Sequence, residues 1–534
     1  MKRRTFLRGA AAAGLAPSFS AAAEPGAHAR RAAPPGSPNI LFIMTDQQRY
    51  DCVGANGNPI IRTPHLDRLA SESANFSHCF AQSPVCTPSR ACFFTGRYAH
   101  AHRNRVNYTR LPAGETLFPA LLREAGYRTG IVGKSHLYYE YPPTPEEARR
   151  TGFDDVQLHD GAQSVDAWSD YTQWRNANDP KADVYYRRTV EDDPALRSAL
   201  GPGDNPFRAI IDPQYTDTAW TGRRTREQLA AYAQQSGQPF FLFSSYWKPH
   251  SPFEVPAPYD ALYSDVTIPL PRRESLATIE AMPPHVSRMI RRAELLGRAP
   301  EHEMDRERLQ WIYRSYYGSI THIDDEVGAT LKALDELGLA DNTIVVFASD
   351  HGDQLLEHGM MGKNVLFEGS VRVPFMIRYP GRVTPGVCDD LVETIDLLPT
   401  LFDFCGLETP YHAHGQSLAP RIAGSGGDYT PRECVFSENV MPEVFAGRHN
   451  FEKGKGVFGV RHPDAKMVRT RRWKYNYYPP GHEELFDLEN DPGEFVNLAG
   501  ETEHQKIRDE LRQRMVDWLI SATETDQIAE KWLV

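Results

Sequence analysis

Four short apolar runs, each breaking off into polar residues, constrain this chain more than any other feature. The first is Asn39-Ile40-Leu41-Phe42-Ile43-Met44, ending at Thr45-Asp46-Gln47. The second is Thr343-Ile344-Val345-Val346-Phe347-Ala348, ending at Ser349-Asp350-His351-Gly352. The third is Pro239-Phe240-Phe241-Leu242-Phe243-Ser244-Ser245, ending at Trp247-Lys248-Pro249-His250. The fourth is weaker: Arg128-Thr129-Gly130-Ile131-Val132-Gly133, ending at Lys134-Ser135-His136. An apolar run without polar alternation reads as a strand buried on both faces. In open α/β sheets, sites form outside the carboxyl ends of the strands. Four such ends would therefore bring residues distant in sequence to one cleft. Helix-like segments lie between, at Leu117–Glu124, Arg308–Leu337 and Ile395–Phe404. In the second, Ile320, Ile323, Val327, Leu331 and Leu334 recur at near-helical spacing and predict a face packed on the sheet.

At 534 residues the chain suits one large domain and a smaller one. The large α/β domain is expected over 38–425. The stretch 140–235 is rich in Pro, Asp and Arg and reads as an elaborated insertion that could wall the site. After about residue 425 the pattern changes. Lys466–Thr470 and Trp473–Tyr478 read as hairpin strands, followed by Glu484–Leu488 and a helix near 503–520. The expectation for 426–534 is a small antiparallel sheet with a packed helix. The longest apolar runs of the mature region are strand-length, so no membrane span is expected.

The N-terminus stands apart. Lys2-Arg3-Arg4-Thr5-Phe6-Leu7-Arg8-Gly9 opens an Ala-rich segment closing at Ala21-Ala22-Ala23, which reads as an export signal over 1–23. The paired arginines followed by Phe-Leu point to the twin-arginine translocase, and hence to a periplasmic or secreted protein. Residues 24–37, with Pro25, Pro34, Pro35 and Gly36, read as a flexible lead-in. The net charge is −11, and losing the signal makes it more negative. No basic stripe suggests nucleic acid. An anion site would have to come from local placement of Lys, Arg and His. Seven cysteines, with no CxxC pair, suggest neither a disulfide framework nor zinc. Those other than Cys86 read as small buried hydrophobes.

Chemistry concentrates at Cys86-Thr87-Pro88-Ser89-Arg90, which continues to Thr95-Gly96-Arg97. Cys86 precedes a helix-compatible ACFF, and a nucleophile at a helix N-terminus favours a bound anion. Arg90 could hold that side chain and screen charge, whereas Arg97 reads as structural. Asp46, Gln47 and Asp350 offer oxygens suited to calcium or magnesium. His351 either joins them or hydrogen-bonds the anion. Lys134 and His136, two residues apart, point the same way if extended. Lys248 and His250 repeat that relation, and Lys363 follows in HGMMGKNVLFEG. Together these cations would offset an anionic substrate and its metal-bound carboxylates.

The motifs CTPSR with TGR, NILFIMTDQQ, ASDHG, GKSHL, KPHSPF and LFDLENDPGEFVNLA resemble those of the formylglycine-dependent sulfatases, in the alkaline-phosphatase-like superfamily. The resemblance runs from about residue 38 to the C-terminal end. It implies a large, mixed, mostly parallel sheet flanked by helices, with a smaller antiparallel sheet plus helix. It also implies oxidation of Cys86 to Cα-formylglycine (3-oxoalanine) by a maturation enzyme. Asp46, Gln47, Asp350 and His351 would then surround calcium together with the residue at 86. Gln47 and His351 stand where many members have Asp and Asn, and Ser135 where Trp is common. The implied reaction is covalent. One hydroxyl of the hydrated aldehyde attacks sulfur, His250 with Lys248 or Lys363 protonates the leaving alcohol, and His136 deprotonates the second hydroxyl to expel sulfate. KPHSPF with Pro256 looks most like the branch acting on sulfated sugars. Two other readings use the same scaffold: a phosphonate monoester or phosphodiester hydrolase, and an inactive carbohydrate-binding relative. Substrate contacts are expected from 140–235 and from Asn439–Arg469, with Arg448, His449, Arg461 and His462 as candidates.

Overall fold

A computed structural model of the protein describes residues 33–522, apart from 35, 108, 113, 139–146, 148–149, 161–168, 181–207, 210, 236, most of 273–305, 425–427, 441–463 and 480. The signal at 1–23 and the contact candidates Arg448, His449, Arg461 and His462 lie outside the described residues.

The strands in chain order are β1 (Asn39–Asp46), β2 (Ala74–Phe80), β3 (Arg128–Gly133), β4 (Asp155–Leu158), β5 (Arg208–Ala209), β6 (Phe240–Pro249), β7 (Val255–Pro256), β8 (Thr343–Ser349), β9 (Arg372–Val373), β10 (Phe375–Arg378) and β11 (Gly386–Glu393). Nine of them form one sheet in the order β11-β2-β10-β8-β1-β6-β3-β4, with β9 beside β2, while β5 pairs β7. The four apolar runs read from the sequence are the adjacent strands β8, β1, β6 and β3, all mutually parallel. Only β9 and β10 run against their neighbours in this sheet.

Their continuous hydrophobicity follows from being covered twice. Successive side chains of a strand face opposite sides. In β1, Ile40, Phe42 and Met44 enter one core with Phe93, Phe94, Phe118 and Leu401. Leu41 and Ile43 enter the other with Trp220, Leu229, Ile323 and Val327. The first face is covered by helices Cys86–Thr95, Phe118–Glu124 and Leu397–Cys405, the second by Asp217–Ala233 and Arg306–Glu336. Phe243 packs between Phe42 (5.2 Å) and Phe94 (5.0 Å, edge-on).

The three helices anticipated from the sequence are present within two or three residues. The long one differs in detail. Ile323, Val327 and Leu334 pack on the sheet, but Ile320 belongs to a separate cluster with Tyr313, Tyr316 and Tyr317.

The stretch 140–235 departs further from expectation. Its described part includes β4 on the sheet edge and the 17-residue helix Asp217–Ala233, which packs on the sheet. That helix buries Thr218, Thr221, Gly222 and Thr225 beside Trp220, Leu229 and Tyr232. An inward face built half from Thr and Gly hides the helical period from a hydrophobicity reading.

The remaining strands, β12 (Cys434–Val440), β13 (Asp464–Thr470), β14 (Trp473–Tyr478) and β15 (His482–Asp487), make an antiparallel sheet in that order. Helix Gln505–Ser521 sets Leu511, Met515 and Trp518 against Val468, Tyr475 and Leu485. β12 was not legible, because it buries Ser437, Glu438 and Asn439. These polar groups join the two sheets: Glu438 donates its N–H to the Gln82 carbonyl and accepts from His100 and Lys466. No helix among the described residues is long and apolar enough to cross a membrane.

One glycine links the sheet to the residues beyond it. Gly133 ends β3 at φ +96°, and a Cβ there would lie 2.0 Å from the Ser245 carbonyl oxygen. Gly133→Ala combines a strained backbone with a backbone clash. It should cost about 2 kcal/mol or more, read as a lower urea midpoint, and should lower activity by moving Lys134.

Candidate active site

The register of the central strands sets the site. Asp46 lies opposite Pro249, Thr45 opposite Ser349, and Gly133 opposite Ser245. The polar residues after β1, β8, β6 and β3 therefore leave the sheet along one edge. Facing them is Cys86, the first residue of helix Cys86–Thr95, preceded by extended Val85. The helix is buried throughout, and its positive end is directed at the same edge.

Cys86 Sγ lies at the centre of these groups. Lys363 Nζ lies 2.8 Å from it and His351 Nε2 3.2 Å. Lys134 Nζ and Asp46 Oδ1 are each at 3.8 Å. His136 and His250 also lie close enough to act on the thiol. His250 Nδ1 pairs with the Ser251 carbonyl at 2.6 Å, so Nε2 is the ring nitrogen left for chemistry. His136 sits in left-handed backbone (φ 54°), its N–H held by both oxygens of Asp160 at 2.9 and 2.7 Å.

Beneath the thiol lies a buried ionic layer. Arg90 donates from Nε to Asp350 (2.8 Å) and from Nη1 to the Lys134 carbonyl (2.8 Å) and Ser245 Oγ (2.9 Å). Its Nη2 is 3.6 Å from Asp46. Lys134 Nζ donates to Asp46, and its ammonium lies 4.1 Å from the Trp247 ring centre. Asp350 also accepts from the backbone N–H of Gln47 (3.1 Å) and of His351 (2.9 Å). Burial and the neighbouring thiol push the Asp46 carboxyl up, but Lys134, Lys363 and His250 outweigh them and hold it below the carboxylate range. Burial would raise the Cys86 thiol, yet Lys134, Lys363 and His351 hold it well below the usual thiol range. Desolvation and Lys363 keep His250 below the ordinary histidine value, against the pull of Asp46.

The donor set suits a hard divalent cation. Ligand atoms of Asp46, Cys86, Asp350 and His351 all lie within 4.8 Å of one another. The buried Gln47 Oε1 has no hydrogen-bond partner among the described residues. His351 Nδ1 pairs with the Gly352 carbonyl at 2.9 Å, which fixes the ring with Nε2 toward the cluster. Three oxygen-bearing side chains and one imidazole match such an ion better than a soft metal.

Of the ten residues singled out from the sequence besides Cys86, nine thus surround or underlie it. Lys248 goes elsewhere. Its Nζ donates to the Pro252 carbonyl, and its charge partners are Asp217 and Glu254 in a neighbouring cleft that includes Ser319 and His322. The i, i+2 argument assumed continuous extended backbone, but the chain bends after Lys248: His250 donates its N–H to the Trp247 carbonyl. Arg97 is structural, paired with Glu115 at 3.0 Å. Sequence reading missed Ser245, Trp247 and Asp353, the last of which accepts from the Gln47 side-chain amide. Asp353 carried one signal, a second carboxylate three residues beyond Asp350.

Comparison with known proteins gives the family. The family profile described as sulfatase matches residues 38–407, and that described as N-sulphoglucosamine sulphohydrolase, C-terminal, matches 356–520. An arylsulfatase of Clostridium perfringens is 30% identical over 90% of this chain and 94% of its own. An N-acetylglucosamine-6-O-sulfatase of Bacteroides thetaiotaomicron is 27% identical over 89% and 85%. Among solved structures, the phosphonate monoester hydrolase of Agrobacterium radiobacter is similar with a TM-score of 0.76 and 26% identity, covering 91% of this chain and 96% of that one. With two thirds of its length matched by the profile and the cysteine, carboxylates and cations gathered at one sheet edge, the chain belongs to the sulfatase family of sulfuric ester hydrolases.

Proposed function

We propose that the protein hydrolyses the sulfate ester of a sulfated carbohydrate, using a formylglycine formed from Cys86. The observation that carries this reading is the ring of groups around Cys86 Sγ, with Lys363 at 2.8 Å, His351 at 3.2 Å and Asp46 and Lys134 at 3.8 Å. The saccharide part draws on the N-acetylglucosamine-6-O-sulfatase relative and on the KPHSPF segment.

Calcium or magnesium held by Asp46, Gln47, Asp350 and His351 would polarise the sulfate and acidify the attacking hydroxyl. Lys134, Lys363 and the helix N-terminus at Cys86 neutralise the sulfuryl oxygens, which gain charge as the ester bond breaks. Only the imidazolium form of His250 carries a proton on Nε2 as well as on Nδ1, and in that form it gives the Nε2 proton to the leaving alcohol, with Lys363 beside it. His136 accepts the proton of the second hydroxyl, whose collapse to the aldehyde expels sulfate. A cysteine or serine at 86 lacks that second hydroxyl, so it cannot release sulfate this way. Lys248 has no part in these steps.

We also propose that residues 1–23 direct export by the twin-arginine translocase, with Cys86 oxidised by a maturation enzyme in the cytoplasm before the folded protein leaves it. Intact-mass analysis of exported, active protein tests both steps. It should show the loss of 1–23 and a residue 86 lighter than cysteine by the thiol-to-aldehyde difference. An unmodified cysteine in active protein would refute the mechanism.

A second reading, hydrolysis of phosphonate monoesters or phosphodiesters, is favoured by the likeness to the phosphonate monoester hydrolase. Tetrahedral oxyanions of similar size fit the same cationic ring. The ratio of kcat/KM for an aryl sulfate to that for an aryl phosphonate separates the two. It should exceed one, and a strong phosphonate preference would sink the sulfatase reading.

The acid role of His250 has its own signature. His250→Ala should cut turnover of alkyl sulfates by about a hundredfold or more. A nitrophenyl sulfate, whose leaving group needs no proton, should lose far less. Equal losses on both would remove His250 as the acid.

A further inference from the structure

We propose that Asp353 is a positioning residue for the cation site. It holds the Gln47 amide so that Oε1 faces the metal ligands, and it ties the same group to the loop bearing Lys363. The proposal rests on the reading that Asp46, Gln47, Asp350 and His351 hold a divalent cation.

Asp353 is fully buried three residues after Asp350. Its Oδ2 accepts from Gln47 Nε2. A carboxylate only accepts, so only the NH2 edge of the amide can turn toward it. Gln47 Oε1 must then face away, and it is left without a hydrogen-bond partner among the described residues. The backbone of Gln47 is pinned as well: φ is 72°, its N–H goes to Asp350 and its carbonyl accepts from Tyr316 Oη at 2.6 Å. What remains free is the side chain, and the bond to Asp353 fixes which way its amide faces.

The other oxygen does a second task. Asp353 Oδ1 accepts from Leu355 N (2.6 Å) and Gly362 N (3.0 Å). Gln354 N donates to the Gly362 carbonyl, closing the base of the loop at 2.6 Å. The next residue is Lys363, which reaches both Cys86 Sγ and His351 Nε2. One carboxylate thus sets a ligand oxygen and anchors a substrate-facing cation. Loop capping alone would explain the Oδ1 bonds but would not require Gln47 to point either way.

A double-substitution cycle separates the two roles. Calcium is titrated by calorimetry into metal-stripped, full-length mature protein as wild type, Asp353→Asn, Gln47→Glu and the double variant. In Asp353→Asn the new amide presents N–H to residue 47, so the glutamine flips and turns its own NH2 toward the ion. Calcium affinity should fall about 10- to 100-fold. In the Gln47→Glu background the same change should cost nothing, because a carboxylate at 47 accepts from the new amide and keeps an oxygen for the ion. An equal loss in both backgrounds, or none in either, would overturn the proposal and leave the cation reading standing. A wild type that binds no calcium would overturn the cation reading and this role with it. If Asp353→Asn alone does not fold, as judged by circular dichroism, the double variant decides. Folding and binding calcium like wild type supports the proposal, and failing to do so overturns it.

Discussion

The buried guanidinium of Arg90 is the interaction on which the rest of the site depends. It reaches the carboxylate after β8, the carbonyl after β3, the Ser245 hydroxyl in β6 and the edge of Asp46 at the end of β1. Four parallel strands and the Cys86 helix are thereby tied at one point. A buried charge without partners costs several kcal/mol, so these partners are obligatory once Arg90 is inside. Lysine could not replace it, since a single ammonium lacks the planar fork that spreads donors over three acceptors. Arg90 lies one helical turn from Cys86, on the same side of the helix. Satisfying the arginine therefore also aims the residue at 86.

Charge explains why this arrangement suits an anion although the chain as a whole is acidic. Arg90, Lys134 and Lys363 face two carboxylates, Asp46 and Asp350, in a layer that is buried except at Lys363. A divalent cation among the ligands would leave the pocket strongly positive, ready for a sulfate and an ionised nucleophile. Burial magnifies each of these interactions and keeps their dipoles from reorienting. Two residues of the site, Gln47 and His136, hold left-handed backbone, a cost the surrounding hydrogen bonds sustain. Asp350 accepts from Gln47 N–H and Asp160 from His136 N–H, so each strained turn is locked by a carboxylate.

Much of this was legible in the chain. The runs ending at Asp46, Lys134, Lys248 and Asp350 are the four central strands, because a strand covered on both faces has no polar alternation to disguise it. Cys86 and Arg90 were legible because their spacing within CTPSR is local. Helix Asp217–Ala233 was not, since its inner face mixes Thr and Gly with aromatics. β12 was not, since it buries Glu438 to bind the other sheet. Asp353 was passed over because its role is defined by Gln47, some three hundred residues away, rather than by any neighbour in sequence.

The sequence by itself determined which residues end the strands and which begin the Cys86 helix, since hydrophobic runs, turns and caps are written in local order. It also determined the donor types available at those ends: carboxylates, an amide, imidazoles and ammonium groups. Only the tertiary structure decided the order β8-β1-β6-β3, which depends on crossovers between distant segments. It also decided that Lys248 leaves the cluster while Lys363 joins it. Where a long side chain points depends on a backbone bend and on which buried carboxylate lies nearest. Neither is a property of spacing along the chain.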